Sequence, residues 1–225
     1  MTNLRKVSTN KTKKKKIYSV DNFTVSAGYT EETRSGINNE NASIGNNLHS
    51  YKKQNYKGSL GYSYTVKQKP FEPFKKSKSK LMKSKNMQLF KDFNVNVLPN
   101  DFAVKFDLDR TYIRTQLYNT SLTTQGVDPT YEKSFWFNRT YKMSWNFTKN
   151  LRLTYDAKTK AIVDEPEGNK NGDENITRDA YQSTVQENLF SGGRVKQFNQ
   201  DLKLTYTVPL KKIPALNWIN TSLSY

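Results

Sequence analysis

Residues 134–157 read SFWFNRTYKMSWNFTKNLRLTYDA. Phe135, Phe137, Arg139, Tyr141, Met143, Trp145 and Phe147 fall on every second position, and Ser134, Trp136, Asn138, Thr140, Lys142, Ser144 and Asn146 stand between them. Successive side chains of an extended chain point to opposite faces, so this period of two predicts a strand with one ring-rich face and one polar face. The polar triplet at 148–150 then predicts a turn. Beyond it the alternation resumes with Leu151, Leu153, Tyr155 and Ala157, which makes the stretch an antiparallel hairpin.

The same pattern extends in both directions. Phe23, Val25, Ala27 and Tyr29 alternate with Thr24, Ser26 and Gly28; Leu60, Tyr62, Tyr64 and Val66 alternate with Ser59, Gly61, Ser63, Thr65 and Lys67. Phe93, Val95 and Val97 precede a turn at 98–100, after which Phe102, Val104, Phe106 and Leu108 follow. Phe198, Leu202, Leu204, Tyr206 and Val208 form another run, and residues 218–225 a last one. About eight strands are expected, all antiparallel and up-and-down, and helical periodicity is weak throughout. The short turns at 98–100, 148–150 and 209–215 then fall at one end of the sheet. Long connections are expected at 31–53, 69–89, 119–131 and 164–197, of which only 31–53 breaks the short-and-long asymmetry of outer-membrane barrels. Residues 1–16 read as a flexible basic tail, and 17–225 as the β segment.

Composition limits the alternatives. Of 225 residues only 34% are hydrophobic, yet 13% are aromatic, and mean hydropathy is -0.88. Half-polar strands with polar loops satisfy both figures, whereas a disordered chain has few rings. The absence of cysteine removes disulfides, thiol nucleophiles and thiolate metal sites. No run approaches the roughly 18 apolar residues of a transmembrane helix, and no apolar stretch in the first 30 residues resembles a signal peptide. For an outer-membrane protein that points to an internal piece of a longer chain. The net charge of +17 admits anionic membrane surfaces or nucleic acid as partners.

Whole phrases carry a resemblance: DFNVNVLPNDFAVKFDLDRTYIRTQLYN (92–119), KSFWFNRTYKMSWNFTKNLRLTYDA (133–157), VDEPEG (163–168) and VPLKKIPALNWINTSLSY (208–225), with FTVSAGYTEETRSG (23–36) and FEPF (71–74). Together they resemble the outer-membrane translocon family of the type IX secretion and gliding-motility system, the SprA or Sov proteins. The resemblance covers most of 17–225. It implies that the chain is part of the wall of a very large transmembrane β-barrel in the outer membrane of a Gram-negative bacterium, a channel exporting folded proteins to the cell surface. It also implies partners: the remainder of the translocon chain, outer-membrane lipid, secreted protein cargo, a small barrel that collects cargo and a periplasmic plug. No cofactor and no enzymatic activity are expected.

Particular residues acquire roles on this reading. Lys105, Asp107, Asp109, Asn138, Lys142, Asp156, Lys158, Asp201 and Lys203 alternate with apolar positions and would line a wet lumen. Trp145, Phe147, Tyr155, Tyr206 and Trp218 lie near the short turns and would form an aromatic girdle. Arg110 and Arg139 interrupt apolar faces about ten residues from a short turn, where a spanning strand reaches the far interface. A lipid-facing arginine at mid-membrane costs about 2–4 kcal/mol, so each is expected to snorkel, pair with an acid, or meet lipopolysaccharide phosphates or a partner protein. Asp164, Glu165 and Glu167 are expected in a solvated loop or paired with the basic lumen. NKNGDEN (169–175) lacks the full calcium-loop pattern and reads as a solvated turn. His49, the single histidine, has no catalytic neighbour in sequence. The lysine run at 75–85, with Phe71, Phe74 and Phe90, resembles a nucleic-acid patch only in composition. A small stand-alone barrel and a soluble basic β-protein binding nucleic acid are the rival readings.

Overall fold

The computed structural model describes residues 2–4, 16–38, 47–66, 68–74, 92–119, 128–210, 216, 218, 219 and 221–225. Alternation dictates strands, and the strands are long: β1 Thr2–Leu4, β2 Phe23–Asn38, β3 Asn47–Thr65, β4 Asp101–Asn119, β5 Thr130–Asn146, β6 Leu151–Ile162, β7 Arg194–Val208 and β8 Thr221–Ser224. They form one sheet in sequence order, each antiparallel to the next. This is an all-β, up-and-down meander. Among the described residues the sheet is open, with β1 and β8 at its edges. Among the described residues one α-helix, α1, spans Arg178–Phe190, and a single 3-10 turn, Val20–Asn22, leads into β2.

Register ties the faces together. Val25, Leu60 and Phe106 lie side by side across three strands, as do Met143, Tyr155 and Leu202 across β5, β6 and β7. The β6–β7 ladder slips once between Lys160 and Ala161, and this bulge keeps Phe198 and Val195 on the same face. A one-residue slip exchanges the two faces of a strand, so a register this consistent follows from the pattern itself.

Several expected boundaries move. Residues 31–38 and 47–53 belong to β2 and β3, not to a long loop. Their alternation is hard to read because both faces are polar there. The pairing is made by groups such as Glu31, bonded to the Tyr29 hydroxyl, to Gln54 at 2.9 Å and to Lys52 at 2.9 Å. Residues 93–97 are not a strand and share only a single bridge, Phe71 with Val95. Their backbone and amides are used elsewhere. The Asn96 N–H donates to the Phe147 carbonyl, its side chain donates to the Asn146 carbonyl, and Asn94 accepts from the Lys149 N–H. The turn at 98–100 is therefore the end of one connection, 66–100, from which Glu72, Asn94 and Asn96 bond the β5–β6 turn. That long connection sits at the same end as the short turns, so loop length does not separate the two ends of the sheet. Within the expected tail, Thr2–Leu4 is a strand. The third expected loop, 119–131, narrows to 120–129. The fourth, 164–197, contains α1 and the start of β7. The 75–85 lysine run, Phe90 and the His49 side chain lie outside the described residues.

Helix α1 begins at Thr177, whose hydroxyl accepts from the Ala180 N–H at 3.4 Å, a standard N-cap. It ends in Gly192 and Gly193, both at positive φ (91° and 68°), where glycine is favoured. Tyr181 and Val185 on its inner face join Phe135 and Val163 in the core cluster of buried residues, flanked by Leu108, Phe137, Ile176 and Leu189. That core lies on the ring-rich face of the sheet, toward the end away from the β5–β6 turn.

Candidate functional site

The site is the sheet itself, a wall with two chemically different faces. On one face the register brings together all nine residues expected to share it: Lys105, Asp107, Asp109, Asn138, Lys142, Asp156, Lys158, Asp201 and Lys203. Their charges are interleaved. Lys105 pairs with Asp107 at 2.8 Å, Lys142 with Asp156 at 3.4 Å and Lys57 with Asp109 at 3.5 Å, while Asn55 donates to Asp109 at 2.7 Å. Exposed pairs of this kind contribute little to stability, about 0–1 kcal/mol each. Their effect is a wetted surface of alternating sign across these rows, while Trp136 beside Ile162, and Ile113 and Leu117 of β4, stand on the same face toward the strap end.

The other face is the opposite. Phe23, Val25, Tyr29, Tyr56, Leu60, Phe102, Phe198, Leu202, Leu204, Tyr206 and Leu223 are all exposed, and the register joins them across β2 to β8. Rings meet across strands: Phe23 with Tyr62 at 5.0 Å, Tyr29 with Tyr56 at 4.9 Å, Phe106 with Phe137 at 6.0 Å. Seven strands at about 4.8 Å spacing and some six residues of rise give a patch on the order of 600 Å². Soluble monomers rarely leave more than a few hundred Å² of contiguous apolar surface uncovered.

The expected girdle residues lie at the β5–β6 turn end of this face. Trp145 stacks on Phe147 at 4.1 Å, and its indole N–H donates to the Asn96 carbonyl at 3.0 Å. Tyr206 stands opposite Leu151 and Leu223, and Tyr155 opposite Met143 and Leu202. Trp218 is 80% exposed. Trp145, Tyr155 and Tyr206 occupy neighbouring rows of the sheet, while Phe147 and Trp218 lie outside the strands.

At the other end the segment 163–193 crosses the ring-rich face as a strap, and both interrupting arginines lie beneath it. The Arg110 Nε and Nη2 donate to the two Glu165 oxygens at 2.8 and 2.6 Å, and the Tyr181 hydroxyl donates to Glu165 at 2.5 Å. The Glu165 side chain is only 3% exposed. Burial, reinforced by the Glu165 carboxylate, pushes the Tyr181 phenol well above its ordinary value. Arg110 also lies 5.7 Å from the Phe135 ring centre. Arg139 is 5.2 Å from the Phe137 ring centre and sits against the turn that ends α1: a Cβ built on Gly192 would lie 2.9 Å from its Nη1. A cation at a helix C-terminus is favoured by the exposed carbonyl dipoles. Of the acids expected in solvent or against the polar face, Asp164 and Glu167 are exposed and Glu165 is not. Glu165 serves Arg110, and Asp164 pairs with Arg194 at 2.7 Å, which lowers the Asp164 pKa.

The 169–175 turn is closed on itself. The Asp173 carboxylate accepts N–H groups from Asn169, Asn175 and Ile176, which lowers its pKa. Those oxygens are occupied by backbone donors. Among the described residues no group of His, Cys, Asp and Glu side chains is arranged to hold a metal, and no helix is long and apolar enough to cross a membrane.

No family model and no curated protein matches the chain. The reading of the site therefore rests on its geometry and on the sequence phrases. The roles that sequence reasoning missed are those of Glu165 and Tyr181. A signal existed, since an arginine on an apolar face requires an anion, and VDEPEG supplies three acids directly after β6.

Proposed function

We propose that this chain is a stretch of the wall of a protein-conducting outer-membrane channel, the translocon of the type IX secretion and gliding-motility system. The observation that carries the reading is the two-faced sheet, ring-rich and uncovered on one side, polar and charge-interleaved on the other. Strands of 16, 19, 19, 17, 12 and 15 residues for β2 to β7 exceed the roughly 9–11 needed to cross a bilayer. The up-and-down antiparallel order is that of membrane barrels. In this role the ring-rich face meets lipid and the polar face lines the lumen. Folded cargo slides past rows of mixed charge that offer it little apolar surface to adhere to. The remaining strands of the wall come from the rest of the translocon. The small cargo-collecting barrel, the periplasmic plug and secreted proteins are its partners. The wall itself performs no chemistry.

A lipid-facing cation in mid-wall tests this. Phe106 lies in the middle of the ring-rich face, beside Leu60 and Arg139. Phe106→Lys in the source bacterium is expected to abolish surface delivery of secreted proteins and gliding, with cargo retained in the periplasm. Asp107→Lys, one residue away on the polar face, is expected to leave assembly intact. Equal tolerance of both substitutions would contradict the wall reading. Recovery of the chain as a soluble protein that binds duplex DNA with a steep salt dependence would favour the nucleic-acid alternative.

A further inference from the structure

A cleft of about 550 Å³ opens between α1 and the sheet, at the strap end of the ring-rich face. Its lining includes Tyr56, Arg110, Lys170, Arg178, Gln182 and Gln186. Three of these six are cations, two are amides and one is a phenol, and no carboxylate lines the cleft. Arg110 is neutralised by Glu165 behind it. The other two charges are not neutralised. The Lys170 ammonium donates to the Gln54 side-chain carbonyl and to the Tyr56 hydroxyl at 3.2 Å, and lies 4.7 Å from the Tyr112 ring centre and 5.2 Å from that of Tyr56. These are neutral partners. Arg178 opens α1 and is exposed, at the end of the helix whose dipole favours an anion and whose Ala180 N–H is capped by Thr177. Glu31 reaches Lys170 only through Gln54 and is itself held by Lys52; the Asp173 carboxylate of the adjoining turn is taken up by backbone N–H groups, and Asp179 follows Arg178 in the first turn of α1.

We infer that this cleft binds the phosphoryl group of a phosphorylated membrane glycolipid, with Lys170 and Arg178 as the phosphate ligands and Gln182 and Gln186 as donors to the attached sugar. The position of the cleft selects a lipid over a soluble anion. From Tyr56 the exposed ring-rich face continues along β3 through Gly58 to Leu60 and Tyr62, and Ala27 lies beside Gly58. A Cβ built on Gly58 meets only Leu108, at 3.8 Å, so the small pair leaves a shallow channel directly below the cleft. An acyl chain extended there runs for about 20 Å along the strand, while its headgroup lies against the two cations. Two charge-assisted contacts and an amide rim match a phosphorylated sugar. The inference rests on the wall reading, since a lipid must be present on this face.

The test uses the complete membrane protein that carries this segment, purified from the source bacterium and reconstituted in phosphatidylcholine bilayers with and without lipid A, with bound lipid A measured by native mass spectrometry. Insertion is scored separately, by protection of the strands from added protease. The expected result is retention of lipid A by the native chain, and a loss of roughly tenfold or more in Lys170→Gln/Arg178→Gln, the scale of one or more lost charge-assisted bonds. Lys105→Gln/Lys203→Gln, which removes the same charge from the polar face, is expected to retain lipid A normally. Equal loss in both double variants would mean diffuse surface electrostatics and would overturn the site. Competition by inorganic phosphate alone, with no preference for the lipid, would overturn the lipid assignment. An inserted chain that retains no lipid A would overturn the cleft and leave the wall standing. Recovery of that complete protein in the soluble fraction, outside the membrane, would remove both.

Discussion

Glu165→Gln is the most informative single change to the strap. The carboxylate is nearly buried, accepts two bonds from Arg110 and one from the Tyr181 hydroxyl, and anchors the strap to β4. Glutamine preserves the volume but removes the charge and turns an amide N–H₂ toward one of its donors. Removing one partner of a buried pair costs about 3–5 kcal/mol. The Arg110 side chain remains a quarter exposed, so water recovers part of that loss, and about 2–3 kcal/mol is the expected penalty. The strap is held by one small cluster, Phe135, Val163, Tyr181 and Val185 with its flanks, so the loss falls on local opening and leaves the ladders intact. Opening of α1 should rise by about 30- to 150-fold. Hydrogen exchange of the α1 amides in the micelle-bound chain reads this directly. The strand amides of β4 and β5 serve as the unaffected reference, and Glu167→Gln as the matched loss of charge. If α1 exchanges equally in Glu165→Gln and Glu167→Gln, the bidentate pair does not hold the strap and the argument fails. Arg110→Met combined with Glu165→Leu should restore most of the protection, because apolar replacement of a whole buried pair is close to neutral.

Gly193 sits at φ 68°, and a Cβ there would lie 2.8 Å from the Ile162 carbonyl oxygen. Gly193→Ala should therefore loosen the α1–β7 junction by about 1–3 kcal/mol, seen as early protease nicking near 190–194. The Tyr181 phenol has a raised pKa from burial and from the Glu165 bond. Its stabilising contribution is thus complete below the unfolded tyrosine value of about 10 and declines as pH rises above it. α1 protection should fall across that range in the native chain, and this slope should be absent in Tyr181→Phe. The Asp173 carboxylate has a lowered pKa because backbone N–H groups bond it. Its contribution is present above the ordinary value of 3.8 and is lost as pH falls below it. Exchange in 169–176 should accelerate in acid, and Asp173→Asn should show the same acceleration at neutral pH.

The strands were legible where one face is apolar and the other polar. Residues 134–157 specify β5, the turn and β6 because every odd position needs cover and every even one water. The pattern was silent where both faces are polar, which hid the outer halves of β2 and β3, where Glu31, Gln54 and Lys52 bond one another. It misled at 93–97, where Phe93, Val95 and Val97 alternate but Asn94 and Asn96 bond the β5–β6 turn in place of a ladder partner. That error also misplaced the 66–100 connection and produced an apparent loop asymmetry that the topology lacks. Helix α1 was missed because its inner face offers few apolar residues, chiefly Tyr181, Val185 and Leu189, in a polar stretch. Of the candidate site, the nine-residue polar face followed directly from alternation. The partners beneath the strap did not, because Arg110 and Glu165 are far apart in sequence and meet only when 163–193 folds back over β4.

The central claim, that one face of this sheet meets lipid and the other water, is tested most directly by cysteine scanning of β4. The native chain contains no cysteine, so each introduced thiol reports alone. Single substitutions at Val104, Lys105, Phe106, Asp107 and Leu108 in the bilayer-embedded protein would be treated with a membrane-impermeant maleimide. The account predicts labelling with a period of two, strong at Lys105 and Asp107 and absent at Val104, Phe106 and Leu108. Uniform labelling along the strand would contradict it, as would strong labelling on the ring-rich face.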